Sequence, residues 1–198
     1  MTGSAASIAP APPRLPVGAA VAIVIWLGLA VAAGASGFLV RLPFPGELII
    51  LGLVAVAIAI ALVRGPVRTW LDAVPLRVLV GVNAIRLIGV AFLVVAAQGS
   101  LNPVFASRAG WGDITVAMLA IVFAFAEPRR IVLHAWNVFG MLDLLVAVGT
   151  ATLVTLQGTT PGVAPIFTFP FNLVTTFFAP LLFGNHVLIF RRLVGSGR

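Results

Sequence analysis

Between Arg77 and Gly99 the chain is apolar for the length of a membrane span, except that an arginine, Arg86, stands near its middle. A guanidinium keeps its proton, so this run places a permanent charge where charge is most costly. Insertion scales put that cost at about 2.5–3.5 kcal/mol for an arginine at a helix centre. A chain that carries such a residue must bring a compensating group to the same depth, and the other apolar segments must supply it.

Composition decides that the run crosses a membrane and is not the core of a soluble domain. The 198 residues are 61% hydrophobic and 9% charged, whereas a soluble domain uses about 25% charged residues to wet its surface. The expected fold is therefore an all-α integral membrane protein, a bundle of six transmembrane helices. Its spans are expected at about 17–39, 47–63, 77–98, 109–126, 131–156 and 166–190, within a single domain covering about 17–193. An Ala/Pro-rich segment, 1–16, has nothing to bury and is expected to be a disordered tail, and 194–198 forms a short C-terminal tail. Arg14 before an apolar run and Ala33-Gly34-Ala35 resemble a signal peptide with its cleavage site, but the run continues to Val40 and is long enough to span, so it is expected to be retained.

Arginines set the expected orientation. With the N-terminus inside, cytoplasmic segments hold Arg14, Arg64, Arg68, Arg77, Arg129, Arg130, Arg191, Arg192 and Arg198, and outer segments hold Arg41 and Arg108. This bias places both termini in the cytoplasm of a bacterial-type inner membrane. The net charge of +7 is then a topology signal answered by anionic headgroups, with the lipid bilayer and not nucleic acid as partner. The absence of cysteine excludes disulfides and thiolate chemistry.

Arg86 lies about nine residues into the third span and Asp143 about twelve into the fifth, both starting inside, so rise per residue puts them at matching depth. They form the candidate intramembrane polar site, with Asn83, one turn before Arg86, placed to share its hydrogen bonds. The site serves either a substrate, anion or proton, or only fixes how the two spans pack. On the last span Asn172, Thr175, Thr176, Ala179, Phe183 and His186 share a face at 100° per residue, and Pro180 frees the carbonyl of Thr176. That face, with Asn137 and Asp113, is a candidate lining for a polar path. Asp113 is placed near the outer end of the fourth span, where it either caps the helix N-terminus or joins Arg86. His134 and His186 lie near the inner ends of their spans, a weak candidate for a bis-His haem or metal site. His134, however, points away from the stripe Trp136, Gly140, Asp143, Ala147 and Thr150 that the fifth span is expected to bury.

No hydrolase, metalloprotease or phosphate-loop motif is present, so no enzymatic activity and no cofactor other than that haem are expected. The expected role is a small transporter or permeation subunit, working as a homodimer because six spans are few. A non-catalytic assembly or regulatory subunit whose polar residues only pack is the first alternative. A bis-His haem electron carrier is the second.

Overall fold

The computed structural model describes residues 14–44, 46–63, 65–126 and 128–195. Most of the N-terminal tail and the last three residues lie outside them. Every regular element among the described residues is helical: α1 (Val17–Ala35), α2 (Phe38–Arg41), α3 (Gly46–Val63), α4 (Pro66–Ala73), α5 (Leu76–Gly81), α6 (Gly89–Ala97), α7 (Pro103–Ala126), α8 (Arg130–Gln157) and α9 (Ala179–Gly195). A 3-10 stretch, Val82–Ile88, joins α5 to α6, and a π turn, Val174–Phe178, leads into α9. Five helical segments are long and apolar enough to cross a membrane: α1, Leu76–Ala97, α7, α8 and Val174–Gly195. Large apolar side chains stand exposed along them, among them Phe125, Ile131 and Leu156. Such a surface suits lipid and not water. This is a helical membrane protein.

The helices depart from the sequence expectations at two places that shape the polar middle of the bundle. The fourth span starts at Pro103, not near 109, because Asn102 and Pro103 together make a strong helix start. The Asn102 carboxamide oxygen accepts from the backbone N–H groups of Val104 and Phe105 at 3.0 and 3.1 Å. Proline fits the first helical position, where no N–H is needed. Arg108 is thus an exposed residue of α7 and not of a loop, and Asp113 is no cap but the eleventh residue of a 24-residue helix. The last span is likewise not one helix from 166. Pro165 and Pro170 break the chain there, leaving a 3-10 turn at Ala164–Phe167. At the other end α9 carries Arg191 and Arg192 inside it.

Pro180 does free a carbonyl. The backbone widens into the π turn before it, and the Thr176 oxygen accepts from the Trp26 indole N–H at 3.0 Å. Proline both lacks the donor for that carbonyl and crowds it. Asn172 adds a second tie to α1 by donating to the Ala30 carbonyl at 2.7 Å.

The packing places α7 at the centre, against the whole of Leu76–Ala97 on one side and against α8 on the other. Two apolar clusters form. One gathers Val80, Val116, Leu133, Trp136 and Ile189; the other gathers Phe92, Phe105, Ala109, Val154 and Ile166. Along the three helical segments that carry them, Arg86, Asp113 and Asp143 fall in sequence between these two sets.

Side chains tie the ends. Asn102 donates to Thr159 Oγ1 and the Pro161 carbonyl, and at the opposite end Arg192 donates to the carbonyls of Leu71 and Val74 while Arg191 faces Asp72 at 3.6 Å. Replacing Asn102 by Ala removes both the cap and the loop tie. A loss of about 1–2 kcal/mol is expected, read as a lower unfolding temperature of the purified protein in detergent, and an unchanged transition would contradict the capping role.

Candidate functional site

Arg86 is the eleventh residue of the 22-residue segment Leu76–Ala97, Asp113 the eleventh of 24 in α7, and Asp143 the fourteenth of 28 in α8. All three sit at the midpoint of their helices, and they touch. The Arg86 Nε donates to Asp113 Oδ1 at 2.6 Å, its Nη2 donates to Asp143 Oδ2, and its Nη1 donates to the Gly140 carbonyl at 3.0 Å. Arg86 is 1% exposed, and Asp113 and Asp143 are each 8% exposed. A guanidinium presents five N–H donors in a planar fork, and here the fork spans two carboxylates on different helices. The third span barely packs on α8 directly, since α7 lies against both. The length of the arginine bridges the gap.

Close backbone approach makes this possible. A Cβ on Gly89 would stand 2.7 Å from both Asp113 Cβ and the Gly110 carbonyl, and one on Gly110 would stand 2.9 Å from the Gly89 carbonyl. Small residues at this crossing let two helices meet backbone to backbone. Gly112 gives the same room to the Asp143 carboxylate, and Gly140 gives it to the His186 ring, 2.5 Å from where a Cβ would be.

His186 closes the cluster on its fourth side. Its Nε2 lies 3.5 Å from Arg86 Nη1 and its Nδ1 lies 2.7 Å from Asn137 Oδ1. An arginine only donates, so Nε2 is the acceptor, and Nδ1 carries the proton that Asn137 accepts. Asn137 in turn donates to the His186 carbonyl at 3.0 Å. Both ring nitrogens are committed, which leaves His186 no lone pair for a haem iron. His134 has other partners, the Arg130 carbonyl and the Phe190 ring. The structure therefore does not assemble the bis-His site. No group of three or more metal-ligating side chains occurs among the described residues either.

The cluster opens on a cavity of about 430 Å³, which Arg86 and Asp113 line together with Thr175 and Thr176. Thr152 and Thr155, whose hydroxyls bond the Val148 and Ala151 carbonyls, also line it, and its remaining walls are apolar, with Phe92, Leu144 and Phe171 among them. Of the expected path residues, Asn137, Asn172 and His186 lie outside this lining, because each is spent on packing contacts between helices. Asn83 does not share hydrogen bonds with Arg86 either. Its amide donates to the carbonyls of Leu79 and Val80 on its own helix. Where α-helix passes into 3-10 winding, carbonyls lose their usual partners, and Leu79 takes a further bond from Asn185 at 2.8 Å. The Thr175 and Thr176 hydroxyls bond back to the Asn172 carbonyl.

Residues 43–194 match the sequence profile of a family described as a domain of unknown function, DUF8737. The chain belongs to the DUF8737 family. No curated protein and no solved structure matches it. The matched stretch holds every member of the ion cluster and the whole of α3 to α8, and it starts after α1 and α2. In this DUF8737 chain the residue that sequence reasoning underweighted is Asp113. Its signal was available: Asn102-Pro103 announces the helix start, and a start at 103 carries residue 113 to mid-span.

Charge counting orders the expected effects of substitution. One guanidinium faces two carboxylates, so Arg86→Gln leaves two buried acids side by side and is expected to cost about 3–5 kcal/mol. Asp113→Asn or Asp143→Asn each leaves a balanced pair and should cost about 1–2 kcal/mol. The triple neutral variant R86Q/D113N/D143N should recover most of the Arg86→Gln loss. Unfolding of the four variants in detergent tests the order, and equal losses for all single variants would refute a mutually compensating cluster.

Proposed function

We propose that this protein is a small transporter or permeation subunit of a bacterial-type inner membrane, with six spans and both termini cytoplasmic. The observation that carries the reading is that the mid-span charges line an apolar cavity and are not sealed on all sides. A charge cluster that only glued helices together would gain nothing from adjoining such a space, whereas a carried molecule needs both a wall and a recognition point. Support for the sixth span is α3, an 18-residue helix about 27 Å long at 1.5 Å per residue. Support for the orientation is the arginine bias. The contacts of Arg191 and Arg192 with α4 bring two of the arginine-rich ends to one side. The reading includes a homodimer, as six spans enclose little room, and assigns no catalytic chemistry.

A second reading, a non-catalytic assembly or regulatory subunit, is favoured by the saturation of Arg86, which is 1% exposed with every nitrogen engaged. Uptake separates the two. Proteoliposomes are loaded with wild-type protein or with R86Q/D113N/D143N, which keeps the shape of the cluster without its charges, and offered radiolabelled cationic, neutral and anionic amphiphiles. Wild-type vesicles are expected to accumulate at least one class faster than protein-free vesicles, and the neutral variant to lose about tenfold or more of that rate. Equal rates for the two proteins would give the role to the subunit reading.

A further inference from the structure

We infer that the cavity holds a lipophilic amine, its ammonium on Asp113 and its apolar chain along the cavity wall; this rests on reading the cavity as a ligand site and names the ligand class. The first reason is charge. Arg86, Asp113 and Asp143 sum formally to −1, and neither His186, whose two nitrogens are both engaged, nor any lysine supplies a second cation. A monocation completes the site, and an anion worsens it.

The second reason is hydrogen-bond supply. Arg86 spends its fork on Asp113, Asp143, the Gly140 carbonyl and His186, so it has little left to offer a phosphate or carboxylate. Asp113 is the reverse case. Its Oδ1 takes the Arg86 bond and its Oδ2, like Oδ1 of Asp143, receives no donor among the described residues. An ammonium brings three donors and no acceptor, which is what an unfilled carboxylate oxygen accepts.

The third reason is placement. Asp113 lines the cavity and Asp143 does not, and apart from Arg86 and the threonines Thr152, Thr155, Thr175 and Thr176 the rest of the wall is alkyl and aromatic. A volume of about 430 Å³ lies within the range of small-ligand sites, where apolar walls hold the body of a ligand and a few polar groups fix its end. Polyamines and metal cations do not suit such a wall, because they need polar contacts along their whole surface.

The test uses the full chain in a neutral maltoside detergent. Decylammonium, decanol and decanoate, added at equal mole fraction in the micelle, differ only in their head group. Decylammonium is expected to raise the unfolding temperature saturably, with one molecule bound per chain. The alcohol and the carboxylate should not. Asp113→Asn should abolish the preference for the amine. Because that change also touches Arg86, a second variant, Ala151→Phe, fills the cavity away from the charges and should weaken amine binding about tenfold or more, one factor of ten in the binding constant. Equal stabilisation by all three head groups, or full amine binding by Ala151→Phe, overturns the assignment. If protonation through Asp113 alone shifts the transition and no head group is preferred, the site takes only a proton and the amine assignment also falls. Amine binding without uptake by proteoliposomes would reject transport and keep the site. Uptake of another amphiphile without amine binding would reject the amine and keep transport.

Discussion

The ion cluster of Arg86, Asp113 and Asp143 is the constraint from which the rest of the arrangement derives. A guanidinium at mid-span has no water to solvate it, so its partners must come from other helices at the same depth. Two of them do, and each must approach closely. That requirement explains why Gly89, Gly110, Gly112 and Gly140 sit at this level and nowhere carry a Cβ that would intrude. It also explains the position of α7, which lies against both neighbours and presents its own carboxylate to the middle. The apolar clusters on either side then fill the bundle above and below a polar layer.

The same layer carries an unbalanced charge. Were the two carboxylates matched by two cations, the cluster would be complete in itself and read as a structural lock. It is short by one positive charge; each carboxylate takes one bond from Arg86, and of the two aspartates it is Asp113 that lines the cavity. Buried ion clusters of this kind contribute little net stability once desolvation is counted, although breaking one is costly. An imbalance left next to an apolar space is therefore better understood as a place for a ligand than as reinforcement.

Much of this was legible in the sequence. The mid-span depth of Arg86 and Asp143 followed from counting residues at a fixed rise, and of the stripe expected on α8, Trp136, Gly140, Asp143 and Thr150 are buried and Ala147 is half-buried. The carbonyl freed by Pro180 followed from the chemistry of proline, but its partner, Trp26, is 150 residues away and no local rule points to it. Asp113 was misplaced by six residues of helix start, since the Asn102-Pro103 signal competed with a run of loop-like residues up to Arg108. Asn83 shares a helix face with Arg86, and the 3-10 winding at Val82–Ile88 keeps residues three apart in line, yet its amide donates to the Leu79 and Val80 carbonyls instead. Helical period gives the face that two residues share, not the partner that each side chain takes.

One arginine holds two aspartates from two other helices at the midpoint of their spans. Solid-state NMR dipolar recoupling in lipid bilayers measures it directly, with ¹⁵N-labelled arginine and ¹³C-labelled aspartate in an Asp72→Asn background that removes the interfacial pair. Two aspartate carboxyls are expected to dephase strongly against arginine nitrogen, at separations of about 4 Å or less. Dephasing of one carboxyl alone, or of neither, would contradict the cluster and with it the polar layer at the middle of the fold.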